Sequence, residues 1–447
     1  MSDTTPSDSI AVIGAGWAGL SAAWHLCQAG RKAVLYEMAP ITGGRARHSS
    51  VRLGEQTVRL DNGQHLMIGA YRDSLALIRQ AHGLAADAPI PGLLRLPLQI
   101  ESPRMGLRAR QPGQLGLLLG VLRARGLTAR SRMDIVRMGV RLRLSGWSTP
   151  VDETVQTMLT RLGQSTQACS TFWAPLCLAA LNTPIETASA QVFVNVLHDS
   201  LFSGAGGSDF LIATEDLGAL FAETMTERLV AQGVSCHLAT PITAIHADGA
   251  NQWQIHRRDH IDTHQAVVLA TSSTSAARLL EPVVPAAARA LGRLRHEAIQ
   301  TVYLAWPQAQ APALPPLTRL DDDAAAGQPA QWLFARGPQQ GLALAAAVIS
   351  LPSADVDSTA VATMVARQLE QQLGVAAPVA ARTINEKRAT FSCVPGRPVA
   401  DHKHIDGHPL PAGLRLAGDY CWARYPSTLE GAVRSGAAAA AAVLAGA

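Results

Sequence analysis

Aromatic residues are scarce in this chain, 4% of 447 residues, and lysine is scarcer still: 3 against 35 arginines. The arginine excess reads as coding bias, because the formal net charge is only +4. A balance so near neutral does not point to nucleic acid, whose binders concentrate positive charge. Cysteine is sparse as well. None of the six forms a CxxC pair, so neither a zinc site nor a dithiol redox motif is indicated, and no metal is expected. The first residues, Met1 to Asp8, lack the basic and apolar regions of a secretory signal. Free thiols in a reducing cytosol are therefore the expectation. No apolar run reaches the ~18 residues that a membrane span requires, and the alanine-rich end, 437–447, is too short.

What is present is a globular composition, 48% hydrophobic and 16% charged. The length suits two or more domains. Near the start, Ser9–Ile13 reads as a β-branched strand, Trp17–Ala29 as a helix stopped by Gly30, and Ala33–Tyr36 as a second strand. Strand, helix and strand within one short segment form a βαβ unit, hence a parallel sheet.

The turn between the first strand and the helix is Gly14-Ala15-Gly16-Trp17-Ala18-Gly19. Gly14 allows the tight bend. Gly16 leaves room for a pyrophosphate against the backbone, and Gly19 lets the helix pack closely on the strand. The helix N-terminus then turns its free N–H groups toward the phosphates. Glu37 ends the second strand and is placed to accept from an adenosine ribose, while repelling a 2′-phosphate. The turn alone does not separate NAD from FAD. Gly43-Gly44-Arg45-Ala46 follows closely and offers backbone and a guanidinium to a second part of the ligand.

These motifs resemble the flavoprotein superfamily of amine oxidases and phytoene-type desaturases. Asp61-Asn62-Gly63-Gln64-His65 is similar to the loop that this superfamily sets near the flavin, and Ile242 to its backbone grip on the adenine. Ala266–Thr271, with Ala270, resembles the strand that returns under the cofactor. Gly418-Asp419 and Glu430-Gly431-Ala432-Val433 resemble the C-terminal FAD motif, with a helix opening at Gly431–Val433 toward the flavin N1/O2 side. FAD is thus the implied cofactor. Asp61–Tyr71, Glu386–Phe391, Ala417–Tyr420 and Thr428–Gly436 narrow the likeness to the hydroxysqualene dehydroxylases of squalene and hopanoid synthesis. The resemblance covers the cofactor portions, about half the chain.

The resemblance implies a Rossmann-like α/β FAD-binding domain, a parallel sheet with additional β elements, and an interleaved α+β substrate-binding domain. The expected division is 1–75 with 205–275 and 385–447 for FAD, and 76–204 with 276–384 for substrate. The implied reaction is reductive removal of an allylic hydroxyl from a long-chain isoprenoid by flavin hydride. A carotenoid-type desaturase or isomerase, an amine oxidase, or a non-catalytic flavin scaffold are the alternatives. His65 is read as the candidate proton donor, with Lys387, Arg388 and Tyr420 as further groups near the flavin. No second GxGxxG lies in a strand–turn–helix context, so electrons are expected from transiently docked NAD(P)H or a protein donor. The upstream squalene-pathway synthases are implied as partners.

Segment 101–150 carries ten arginines against two acids. Residues 115–144 read as helical, with Arg130, Arg137 and Arg141 on one face and Met133, Val136, Val140 and Leu144 on another. A basic amphipathic helix fits either peripheral docking on the inner face of the cytoplasmic membrane or an ordinary solvated helix. Asp321-Asp322-Asp323 and the His402, His404 and His408 group read as exposed loops.

Overall fold

A computed structural model describes residues 8–446, apart from 110–112, 151, 203, 205, 250–251 and 354–355. Residues 1–7, read above for a targeting signal, Arg110 and Ala447 lie outside the described residues. The fold is mixed α/β. Strand β1 (Ile10–Ile13), helix α1 (Trp17–Gln28) and strand β2 (Ala33–Tyr36) form the expected βαβ unit. Both strands are buried along their whole length, as fits continuous apolar runs in the middle of a parallel sheet. The sheet is completed by Ser235–His237 beside β2, Ala266–Leu269 beside β1, and Leu414–Leu416 at the far edge, all parallel. Three segments distant in sequence therefore build one sheet.

The C-terminal helix, Leu429–Leu444, packs on α1. The approach is close because Gly436 has no side chain: a Cβ there would stand 2.1 Å from the Ala18 carbonyl oxygen. The Ser21 hydroxyl donates to the Val433 carbonyl across the same contact, at 2.8 Å.

A second, antiparallel sheet runs in the order Leu317–Arg319, Trp332–Gln339, Leu342–Ser350, His296–Pro307, Ala380–Phe391. Side chains alternate along the interior strand His296–Pro307. Val302, Leu304 and Trp306 meet helix Ser358–Leu373, whereas Tyr303 and Ala305 meet a hairpin, β3 (His48–Leu53) and β4 (Gln56–Asp61). Helix α2 (Arg72–Ala81) packs on the C-terminal helix, and two further helices follow, α3 (Gly113–Leu122) and α4 (Ala129–Leu144).

Several local expectations are corrected. The single helix read over 115–144 is two, broken where Gly126 takes φ +82° and lies so close to Arg104 that a Cβ would be 2.0 Å from its carbonyl oxygen. The strand after Pro241 begins only at Ala244, because the Thr240 N–H is turned back onto the Glu37 carbonyl at 2.8 Å. Ile242 therefore lies in a loop, buried, its carbonyl accepting from Arg278 at 3.1 Å. Asp321 is not exposed: its carboxylate accepts from the Ser102 hydroxyl at 2.8 Å and the Arg104 N–H at 2.9 Å, tying two loops together.

Candidate active site

The glycine turn has the geometry that its sequence demands. Gly14 takes φ +104°, and a Cβ on Gly19 would meet the Gly14 carbonyl oxygen at 1.8 Å. A Cβ on Gly16, by contrast, would meet only the Gly44 Cα, at 3.9 Å. Gly16 thus faces outward from the turn while Gly19 seals it from within. Gly43, at φ +107°, donates its N–H to the Ala15 carbonyl at 2.8 Å and so holds the second glycine pair against the first. The Glu37 carboxylate accepts from the N–H groups of Ala15, at 2.7 Å, and Ala39, at 2.8 Å. These bonds fix the acid at the mouth of the turn and leave it spare lone pairs. Trp17 and Ala18 are buried at the start of α1, and the Ala270 N–H closes the strand behind them on Ile13 at 2.8 Å.

Opposite the turn, Arg45 reaches the C-terminal motif. Its guanidinium lies 2.6 Å from the Asp419 carboxylate and donates to the Ala389 carbonyl at 2.7 Å. Protein closely surrounds Arg45, yet 35% of its side chain stays accessible. Gly418 donates to the Ser435 hydroxyl at 2.9 Å, which docks the 418–419 bend on the C-terminal helix. That helix opens earlier than expected. Thr428 caps it, and the N–H groups of Gly431 and Ala432 are already taken by the Thr428 hydroxyl, at 2.9 Å, and carbonyl, at 3.0 Å. Its positive end is therefore at Leu429 and Glu430 rather than at Gly431–Val433.

In the 61–65 loop, Asn62 donates to Glu386 at 3.0 Å, Gln64 takes the Thr301 hydroxyl through its N–H at 3.3 Å, and Gly63 accepts from the His65 ring at 2.6 Å. That last bond puts the proton on His65 Nδ1 and makes Nε2 an acceptor. Burial, with the Arg45 charge nearby, pushes the His65 pKa down to about 4. The ring is neutral at pH 7, which removes it as a standing proton donor; it pins its own loop. Lys387 and Arg388 are exposed on their strand, and the Tyr420 hydroxyl is spent on the Thr271 carbonyl at 3.2 Å.

None of these four lines the large cavity, which has a volume of about 740 Å³. Its walls are mostly apolar, with Leu107, Val121, Ile135, Phe172 and Phe193 among them. One end is different. There Tyr71, Tyr425, Thr428, Glu430 and Arg434 gather at the opening turn of the C-terminal helix. Glu430 is buried, 1% exposed, and accepts from the Ser74 N–H at 2.9 Å, the Ser74 hydroxyl at 2.7 Å and Arg434 at 2.9 Å, stapling α2 to that helix. Burial raises both tyrosines, Tyr425 to about 12 and Tyr71 beyond the ordinary phenol value, and the Glu430 charge adds to each. Both keep their hydroxyl protons throughout the neutral range. Tyr71 and Glu430 were legible only as members of longer motif strings; their shared cavity end needs the fold.

The sequence profile described as flavin containing amine oxidoreductase matches residues 17–444. The chain belongs to that family. Among curated relatives, the hydroxysqualene dehydroxylase of Rhodopseudomonas palustris is 28% identical, covering 98% of this chain and 99% of its own. The protein of the same name from Sinorhizobium fredii is 24% identical over 97% of each. Among solved structures, cyclohexylamine oxidase from Brevibacterium oxydans superposes with a TM-score of 0.71 at 15% identity, covering 98% of this chain and 99% of its own. That likeness shows the fold.

As in other members of this flavin-containing family, FAD is the cofactor. The residues fit it. Gly16 and Gly44 form a cradle that a Cβ would fill, the buried Gln64 Oε1 and Trp17 Nε1 have no partner among the described residues, and Arg45 offers accessible positive charge beside them. A separate group, His48, Asp216 and Glu223, has its ligand atoms close together, but Arg59 already engages both carboxylates, 2.6 Å from Asp216 and 2.7 Å from Glu223.

Proposed function

We propose that this protein is a FAD-dependent oxidoreductase that reduces hydroxysqualene to squalene. The observation that carries the reading is the cavity: about 740 Å³, largely apolar, with Tyr71, Tyr425, Thr428, Glu430 and Arg434 gathered at the end beside the C-terminal FAD motif. Its volume lies in the usual ligand range of ~300–1,000 Å³, and its apolar walls suit a long isoprenoid rather than a charged amine. Full-length relatives named hydroxysqualene dehydroxylase support the same substrate.

Reduced FAD, when bound, supplies hydride. The rest of the chemistry falls to the chain. The allylic C–O bond breaks with its electron pair on oxygen, and that oxygen needs one proton to leave as water. Tyr71 and Tyr425 hold phenolic protons at the polar end, where each can donate to the substrate hydroxyl. Arg434, whose guanidinium carbon is 5.4 Å from the Tyr425 ring centre, stabilises negative charge as the phenol proton moves. The apolar walls keep bulk water from the carbon that loses the hydroxyl. Gly14, Gly16, Glu37, Arg45 and Asp419 hold the nucleotide, and Leu429 and Glu430 present the helix end. Electrons enter from NAD(P)H or a protein donor.

Anaerobic mixing of the reduced protein with hydroxysqualene is the test. The expected result is reoxidation of the flavin together with one equivalent of extractable squalene. A flavin that stays reduced, with no squalene formed, overturns the reading.

A further inference from the structure

Twelve large hydrophobic residues are exposed among the described residues, and six of them lie on α3 and α4: Leu115, Leu118 and Leu122, then Met133, Val140 and Leu144. The spacing within each set puts it on one side of its helix. Leu115 is 60% and Leu144 82% exposed. Scattered apolar residues need no explanation, but two adjoining helices that share such a face do.

Two of the six have a double position. Leu118 and Val140 are exposed, at 39% and 54%, and also line the large cavity, with Val136 and Gly139 beside them. The cavity therefore reaches the surface between α3 and α4, inside the apolar face. On and beside these two helices the exposed charge is mostly positive. Arg123, Arg125, Arg130, Arg137 and Arg141 are exposed there, while the two acids of segment 101–150 are already paired, Glu101 with Arg108 and Arg125, and Asp134 with Arg137. No helix among the described residues is long and apolar enough to cross a membrane.

We infer that this face docks on an anionic lipid bilayer and that the gap between α3 and α4 is the portal through which an apolar substrate enters the cavity from the lipid. The inference rests on reading the cavity as the chamber of an apolar substrate. Leu115 and Leu144 enter the acyl boundary, the arginines meet the headgroup phosphates, and the portal faces the membrane. A substrate too apolar for water then never crosses it.

The test uses the full chain with FAD bound and vesicles of phosphatidylcholine, with or without about 30% phosphatidylglycerol. Wild-type protein is expected to sediment with the anionic vesicles at low salt and far less with neutral ones. L115D/L144D, which touches no cavity residue, is expected to weaken that binding roughly 100-fold while keeping its flavin and its turnover of detergent-dispersed substrate. R123E/R130E is expected to lose the preference for anionic vesicles. Wild-type protein left in the supernatant, or L115D/L144D binding as well as wild type, overturns the inference. So does a chain that ignores vesicles but self-associates through these leucines, since the face would then belong to a second copy. The vesicle assay contains no substrate, so its failure leaves the proposed reaction standing; a chain that binds vesicles and turns over nothing sinks the reaction instead.

Discussion

The Arg45 guanidinium and the Asp419 carboxylate meet at 2.6 Å, joining the second glycine pair of the N-terminal half to the bend before the C-terminal helix. Asp419 is buried, so removing its partner strands a charge. Breaking a fully buried pair costs ~3–5 kcal/mol. Arg45 is about one-third accessible, and solvent screening brings the expected loss to ~1–3 kcal/mol. Arg45→Met is therefore expected to lower the thermal midpoint by several degrees and to weaken FAD binding at least tenfold, read by flavin titration. Unchanged FAD affinity in this variant would show that the pair is not part of the cofactor cradle.

Gly16 and Gly19 make a matched pair of tests. In Gly19→Ala the new methyl collides with the Gly14 carbonyl, so the turn must break, and the apo protein is expected to lose more than ~3 kcal/mol. In Gly16→Ala the methyl meets only the Gly44 Cα at 3.9 Å, so the apo protein should stay within ~0.5 kcal/mol of wild type. The same methyl stands where the pyrophosphate is expected, and FAD affinity should fall about 100-fold, close to 2.7 kcal/mol. Thermal midpoints with and without added FAD separate the two. Equal loss of apo stability in both variants counts against a phosphate role for Gly16.

The cofactor side of this molecule was readable because each glycine does a local job within a few residues of a strand or helix end. Gly14, Gly16 and Gly19 carry their own geometry in their spacing, and Glu37 follows at the end of the next strand. The resemblance supplied the distant partner motif at Gly418–Asp419, which no local pattern could connect to Arg45. The candidate catalytic residues are harder to read from sequence. Residue type and motif position single out His65, Lys387, Arg388 and Tyr420, but whether a group faces a cavity, a carbonyl or solvent is set by tertiary packing. The break at Gly126 likewise arises from a close contact with distant backbone, the Arg104 carbonyl.

Two histidines set an acid limit on stability. Burial pushes His65 and His264 down to about 4, and His264 is held between the Ser9 and Tyr36 hydroxyls at 2.8 and 2.9 Å. An unfolded histidine titrates near ~6.5. Between about 4 and 6.5 the unfolded chain therefore binds more protons than the folded one, so stability falls as the pH falls through that window. Each histidine contributes at most ~1.4 kcal/mol per pH unit there. His264→Gln is expected to flatten the slope of unfolding free energy against pH between pH 5 and 6 by up to that amount, measured by urea titration. A slope equal to wild type would mean that His264 is not held neutral by the fold.

The proton that completes the proposed reaction is assigned to the tyrosines of the cavity end, and this can be set directly against the histidine. Tyr71→Phe and Tyr425→Phe each remove one hydroxyl from an apolar chamber without changing its shape. Losing a general acid costs ~10²–10⁴-fold in rate; with two hydroxyls present, either single variant is expected to lose about tenfold to a hundredfold and the double variant more. FAD content should not change, because neither residue belongs to the glycine cradle. The rate should also hold steady through neutral and mildly alkaline pH, since Tyr425 titrates only at about 12 and Tyr71 is likewise raised. His65→Ala is expected to leave hydride transfer nearly intact, because the ring is neutral and its Nδ1–H is committed to the Gly63 carbonyl. Single-turnover reoxidation of the reduced protein by substrate reads all four variants. If His65→Ala stops the reaction while both tyrosine variants proceed at the wild-type rate, the proton comes from the loop and the assignment to the cavity end is wrong.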